Sequence, residues 1–165
     1  MKKIRLVSPW DWYACWRRLI GRMALVLIGW SVIGVEGSTY GQQVLAAVLM
    51  AEARGEGEMG MRAVAEVVRR RADVNGTSPL GVLRPGAFTS LNGTSHKALI
   101  RKHRNHPLFG KALEIARITY NDPERLGNRT RGATHFTHKE ERPYWAEGHR
   151  PVAVIGNHAF YRLPG

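Results

Sequence analysis

Two helical patterns follow each other between residues 40 and 72 and constrain the fold more than any other feature. In the first, predicted from about Tyr40 to Arg54, apolar residues recur at positions 44, 45, 48 and 49. Gly55 and Gly57 end or bend this helix. A second helix is predicted from Met59 to Ala72, with valines at 64, 67 and 68 inside and the charged positions 62, 66, 69 and 70 outside. The core therefore begins as a pair of adjoining helices.

The rest of the chain predicts one more helix and a small sheet. Turn signals fill residues 73–94, where AFTSL (87–91) is a short candidate strand. A third helix is predicted to begin after Asn105 or Pro107 and to end before Asn121. The tail contains two predicted strands, GATHFTH (132–138) and PVAVIGNHAFYR (151–162), joined by a polar loop. The predicted class is α+β, mainly helical with a small antiparallel hairpin or sheet.

The first 37 residues differ from those that follow. Six basic residues precede an uncharged run from Met23 to Val35, which has the length of a signal-peptide core and is shorter than the roughly 20 residues that span a bilayer. Val35 and Gly37 fit the positions before a cleavage site. Residues 1–37 are therefore predicted to be a signal peptide or an N-terminal membrane anchor, with a buried core helix as the alternative. The remaining domain, 38–165, is expected in the periplasm or cell wall.

The charge and the cysteine content agree with export. The chain carries 25 Lys and Arg against 13 Asp and Glu, a net charge of +12. A cationic exported domain is attracted to the anionic cell envelope. A nucleic-acid binder is the alternative, but basic and acidic residues alternate on the helix faces and no nucleic-acid module is apparent. The single cysteine, Cys15, lies in the leader, so the domain is predicted to have no disulfide and no cysteine metal ligand.

Glu52 lies on the same side of the first helix as the apolar positions. A carboxylate there is costly unless it is paired or serves a purpose. The unpaired carbonyls of the helix end and the loss of water both favour the protonated carboxyl. A carboxyl that keeps its proton near neutral pH can protonate a glycosidic oxygen. The alternative is a structural glutamate paired with a buried arginine, for which Arg54 and Arg62 are within reach.

Two further acids follow Glu52. Glu58 begins the second helix, where the helix dipole favours a negative charge, so capping accounts for it. Glu56 lies between them, and it either orients or electrostatically supports Glu52 or faces solvent. Glu52 is therefore the better candidate for a general acid.

The stretch AEARGEGEMGMRAVAEVVRRR (51–71) resembles the signature of the SleB-type cell wall hydrolases, a family that includes spore cortex-lytic enzymes. In that family a Glu-Ala-Arg-Gly-Glu segment precedes a glycine and an Ala-Val-Ala-x-Val helix. GVLRPGAFTSL (81–91), GATHFTH and IGNHAFYR (155–162) are similar to its later motifs. The resemblance covers about residues 42–162. Two segments depart from the family pattern: residues 92–106, which are rich in Lys, Arg and His, and the long turn at 122–133.

The resemblance implies a lysozyme-like α+β domain, without a cofactor or metal, that cuts the glycan strands of peptidoglycan. The family's catalytic acid corresponds to Glu52, with Glu56 in a supporting position. The implied reaction is that of a lytic transglycosylase. Such an enzyme cleaves the glycosidic bond between MurNAc and GlcNAc and forms a 1,6-anhydro ring on MurNAc in the same reaction. A muramidase that releases reducing ends and a non-catalytic wall-binding module are the alternatives.

Several side chains are candidates for binding sugars, because aromatic faces and hydroxyl groups suit a saccharide. They are Phe88, Thr89, Ser90, Tyr144, Trp145 and Tyr161. An ordinary core or surface position is the alternative for each. A zinc-dependent hydrolase is a further alternative, since His135 and His138 are followed by His149 and His158. However, strand positions three apart point to opposite faces, which disfavours chelation by the first pair.

Overall fold

The computed structural model describes residues 37–163. The predicted leader, apart from Gly37, lies outside the described residues. By its contacts the chain divides between Glu36 and Gly37, so the described part belongs to the second of two units. Within that part no helix is long and apolar enough to cross a bilayer.

The described chain contains helices followed by a small sheet. Its α-helices are α1 (Tyr40–Ala53), α2 (Gly57–Val74), α3 (Pro79–Val82), α4 (His96–His103) and α5 (Phe109–Asn121). Single 3₁₀ turns lie at Arg54–Glu56, Thr89–Leu91, Pro123–Leu126 and Tyr144–Ala146. The strands are β1 (His135–His138), β2 (Ala153–Ile155) and β3 (His158–Tyr161).

Helix α1 is the centre of the core. A capping box begins it: the Thr39 side chain accepts from the Gln42 amide, and the Gln42 side chain accepts from the Thr39 amide. Every residue from Val44 to Met50 is fully buried, so the helix is covered on all sides, where the sequence pattern had predicted one apolar face. Helices α2, α4 and α5 pack around it. A helix buried all round emerges from the core only at its ends.

Helix α2 carries a buried acid that the sequence pattern had placed on the outer face. Glu66 is only 6% exposed. Its Oε2 accepts from both the backbone amide and the hydroxyl of Thr130, each at 2.8 Å. The hydroxyl and amide donors replace water at this oxygen, and Arg129 Nη1 lies 3.5 Å from the other, Oε1. These bonds attach the segment before β1 to α2.

The sheet is antiparallel, with strand order β1-β3-β2. His135 is opposite Tyr161 across the first pair of strands, and Ala153 is opposite Phe160 across the second. The sequence 151–162, predicted as one strand, is therefore a tight hairpin. Gly156 lies at the turn with a φ of +58°, a conformation that glycine adopts without steric cost. Phe160 is fully buried and packs the sheet against α2.

The middle of the chain differs from its sequence-based prediction in two ways. AFTSL (87–91) was predicted as a strand, but Thr89–Leu91 forms a 3₁₀ turn. The segment 92–106, for which no helix was predicted, contains α4, which is capped by the Ser95 hydroxyl. Both segments pack on α1, so tertiary contacts determined their conformation. The fold is α+β and lysozyme-like, mainly helical with a small antiparallel sheet, as the sequence predicted.

Candidate active site

Glu52 occupies the last turn of α1, where the buried helix reaches the surface. Its side chain is half-buried, between the exposed Ala51 and the buried Ala53. The backbone amide of Ser90 donates a hydrogen bond to Glu52 Oε1 at 3.0 Å. A rigid helix therefore positions the carboxyl from one side, and the 87–91 segment orients it from the other.

The Glu52 carboxyl lines a cavity of about 360 Å³. The segment from Thr89 to Thr94 forms one wall, and α4 forms another, with Leu99, Lys102 and His103. Among the described residues, the hydroxyl of Ser90 and the Nε2 atom of His103 are buried without a hydrogen-bond partner. Unsatisfied polar atoms are rare in folded proteins and mark positions that deserve a functional explanation. Both of these atoms belong to residues that line the Glu52 cavity, which distinguishes this cavity from an ordinary surface depression.

Basic residues surround His103 in the α4 wall of this cavity. Lys102, Arg54 and His106 all act electrostatically on His103. Burial lowers the pKa of His103 below its ordinary value, and these neighbours lower it further. Near neutral pH the folded protein therefore favours the neutral imidazole of His103. The segment 92–106, which departs from the family pattern in sequence, thus supplies one side of the cavity.

The low pKa of His103 predicts a loss of stability in acid. A depressed pKa contributes stability that is complete above the unfolded value of about 6.5 and is lost as the pH falls below it. We expect the wild-type free energy of unfolding to decrease between about pH 8 and pH 5, and His103→Gln to decrease less. Urea unfolding at both pH values measures this difference. His149→Gln, at an exposed position, is the control. Equal acid losses in wild type and His103→Gln would contradict the prediction.

Arg71 is an arginine on which the charge of Glu52 acts. The sequence had suggested Arg54 or Arg62 as a partner, but Arg62 pairs with Glu58 at 2.9 Å. Burial lowers the pKa of Arg71, and the negative charge of Glu52 partly offsets that effect. Its Nη1 donates to the carbonyl of Ala87 at 2.9 Å, and its Nε donates to the carbonyl of Thr134. Arg71 therefore joins α2, the 87–91 segment and the start of the sheet.

Glu56 is held by the sheet. Its Oε2 lies 2.9 Å from Nδ1 of His158, and its Oε1 accepts from the backbone amide of Asn157 at 3.3 Å. The two side chains of the pair are 11% and 13% exposed. A Cβ atom on Gly60 or Gly156 would lie 2.5 or 2.9 Å from Glu56 atoms, so both glycines make room for this carboxylate. Of the two roles predicted for Glu56, the solvent-facing one is wrong, because its carboxylate is largely buried.

The candidate sugar-binding residues of the 87–91 segment have different positions. Thr89 is exposed and Ser90 half-buried, and both line the Glu52 cavity. Phe88 is only 3% exposed. Its ring lies under the Arg71 guanidinium, 5.0 Å from Cζ, and near the ring of Phe136. Phe88 therefore packs as a core residue beneath the site.

The three aromatic candidates at the other end of the chain lie together, outside the residues that line the Glu52 cavity. Tyr144 is 86% exposed, whereas Tyr161 is 7% exposed. Trp145 lies between them in exposure and contacts the rings of both His135 and Tyr161. Tyr161 is packed in this aromatic cluster. Tyr144 remains available at the surface.

The histidines that raised the zinc alternative have other neighbours. His158 is bound to Glu56, and Nδ1 of His135 shares a hydrogen bond of 3.0 Å with the Thr134 hydroxyl. Across residues 37–163, no three His, Cys, Asp or Glu side chains are grouped as metal ligands. His138 lies opposite His158 in the sheet, and its ring is 4.0 Å from Glu140.

Sequence reasoning missed three residues that organise the site: Arg71, His103 and His158. The arginines at 69–71 and the basic residues at 96–106 entered the sequence analysis only through their positive charge. His158 was assigned to a strand motif. The partners of Arg71 and His158 are far away in sequence, and His103 is buried by the packing of α4 on α1, so no local spacing could identify these roles.

Comparison with known families supports the assignment to the cell wall hydrolases. The family model described as Cell Wall Hydrolase matches residues 55–161. The match contains Glu56, Arg71 and His158, and it begins just after Glu52. No curated protein and no solved structure matches the chain significantly. Since the matched region spans most of the described residues, the chain belongs to the cell wall hydrolase family and is an enzyme that acts on peptidoglycan.

Proposed function

We propose that the enzyme is a lytic transglycosylase that cleaves between MurNAc and GlcNAc, with Glu52 as its acid and base. The proposal rests on the position of Glu52 in the last turn of α1, where this buried helix reaches the surface. Its carboxyl is oriented by the Ser90 amide and lines an open cavity. A fixed carboxyl within reach of a bound sugar is the first requirement for general acid catalysis.

The reaction needs only one carboxyl group. Protonated Glu52 gives its proton to the bridging oxygen as the bond from MurNAc C1 to that oxygen breaks, which releases the GlcNAc 4-hydroxyl. The resulting Glu52 carboxylate takes the proton of the MurNAc C6 hydroxyl. The C6 oxygen then bonds to C1 and closes the 1,6-anhydro ring. The carboxyl is protonated again at the end, and no water is consumed.

The neighbouring acids support a mechanism with a single carboxyl. A retaining glycosidase uses a second carboxylate about 5–5.5 Å from the acid, and an inverting one uses a carboxylate about 6.5–9.5 Å away. Glu56 is bound to His158 and Asn157. Glu58 is paired with Arg62 and lies 3.6 Å from Lys111. Both carboxylates thus have structural partners. Neither lines the Glu52 cavity.

The products of peptidoglycan digestion test the proposal. We expect wild-type digests to contain muropeptides with 1,6-anhydro-MurNAc ends, which are lighter by one water than reducing ends. Mass spectrometry before and after borohydride reduction distinguishes the two, because only reducing ends gain hydrogen. Glu52→Gln is the matched control for contaminating activities. Reducing MurNAc ends would instead indicate a muramidase, and cut peptides with intact glycan would refute glycan cleavage.

A further inference from the structure

A second cavity, of about 660 Å³, lies where the end of α2, the α3 region and the start of β1 meet. Four arginines line it: Arg70, Arg71, Arg84 and Arg162. No aspartate or glutamate lines it. Such a concentration of one charge in a concave site raises the local concentration of anions.

Two of these arginines are held in place by the backbone. Arg71 donates to the carbonyls of Thr134 and Ala87, and Arg162 donates to the carbonyl of Arg131. A guanidinium has five N–H donors in a fixed planar arrangement. These bonds therefore leave other donors of each group for a ligand. Preorganised guanidinium groups suit a planar carboxylate, which they bind with two parallel hydrogen bonds.

The other two arginines carry uncompensated charge. Arg70 and Arg84 are exposed, and within residues 37–163 neither takes part in an ion pair. Other arginines of the same surface do find acids: Arg69 pairs with Asp73 at 2.7 Å, and Arg62 pairs with Glu58. The acids near α2 are thus engaged elsewhere. An anion entering the cavity meets positive charge from several sides.

This cavity adjoins the Glu52 site through one short segment. Ala87 lines the arginine cavity, while Thr89 and Ser90 line the Glu52 cavity. The α-carbons of Ala87 and Ser90 are separated by at most about 11 Å of extended chain. Arg71 also interacts electrostatically with Glu52. The two cavities are thus neighbours on one short segment, as a single extended substrate would require.

We propose that the arginine cavity binds the carboxylates of the stem peptides carried by the glycan strand, and so selects strands that bear peptides. The inference rests on the proposed function, since it takes the substrate at Glu52 to be a peptidoglycan strand. Each peptide-bearing MurNAc unit carries carboxylates beside the bond that is cut. A phosphate-rich wall polymer would also bind arginine, and the binding test below distinguishes it from the stem peptide.

The cleavage test compares two substrates: glycan strands with intact stem peptides, and the same strands stripped by an amidase, which removes the peptide carboxylates and leaves only the lactyl carboxylate of MurNAc. For the full-length wild type we expect kcat/KM to be about tenfold higher on the peptide-bearing strands, the effect of a single charge-assisted contact. The Arg70→Gln/Arg84→Gln double variant should cleave the two substrates equally. Arg101→Gln/Arg125→Gln removes the same charge at exposed positions outside the cavity and should keep the preference. Circular dichroism checks the folding of both variants.

A binding test separates this inference from the proposed function. Calorimetric titration with a free stem tetrapeptide requires no cleavage. We expect the double variant to bind the peptide about tenfold more weakly than wild type and the control variant do. Equal kcat/KM on the two wild-type substrates, or equal peptide binding by all three proteins, would overturn the proposal. So would tighter, Arg70- and Arg84-dependent binding of a glycerol phosphate oligomer. Absence of any glycan cleavage with normal peptide binding would refute the transglycosylase instead.

Discussion

Glu52→Gln is expected to fold normally and to lose about 10²–10⁴-fold of the glycan-cleaving rate, the range that one positioned proton donor contributes. The amide has nearly the same shape as the carboxyl, and its oxygen can still accept the Ser90 amide hydrogen bond. It has no proton to give to the bridging oxygen. Release of soluble fragments from purified sacculi measures the rate, and thermal unfolding checks the fold.

Glu58→Gln is the matched control. Glu58 is 45% exposed, and its partners Lys111 and Arg62 are 40% and 18% exposed. Solvent-exposed pairs of this kind contribute only a few tenths of a kcal/mol, so both rate and stability should remain close to wild type. If Glu52→Gln digests sacculi at the wild-type rate, the assignment of the acid is wrong, and Glu56 is the next carboxyl to test.

Glu56→Ala is expected to lower both the stability and the rate. Truncation leaves His158 and the Asn157 amide without their acceptor, and an unsatisfied buried polar group costs about 1–3 kcal/mol. It also frees the turn between β2 and β3 from the 3₁₀ turn that follows Glu52. Because small displacements of a catalytic group are costly, the rate should fall by up to about 10²-fold. Urea unfolding and the sacculus assay measure the two effects.

Two further variants are compared with Glu56→Ala. One disturbs the contacts of the Glu56 carboxylate without removing its charge, and the other removes a different carboxylate. Gly156→Ala keeps the Glu56 carboxylate but places a Cβ 2.9 Å from its Oε2, at a residue with a φ of +58°. It should therefore reproduce the loss of stability. Glu147→Ala removes an exposed carboxylate and should change neither quantity. A Glu56→Ala protein with wild-type stability and rate would show that Glu56 does not position the site.

The elements with strong local signals could be predicted from the sequence alone. The helices at 40–53, 57–74 and 109–121 follow from apolar spacing interrupted by glycine or proline. The motif around Glu52 identified the family, which the match to residues 55–161 confirms. It also singled out Glu52 as the unusual acid, because a carboxylate next to an apolar stripe stands out in one dimension.

The partners of the two acids could be seen only in the folded protein. The Ser90 amide reaches Glu52, and His158 reaches Glu56, from segments far from α1. Residues 87–91 have the composition of a strand but form a 3₁₀ turn against α1. The partner of Glu56 could not be inferred from its neighbours, since it comes from a strand about one hundred residues later. Local sequence determines backbone propensity, but partners for a buried charge depend on which distant segments the packed core brings together.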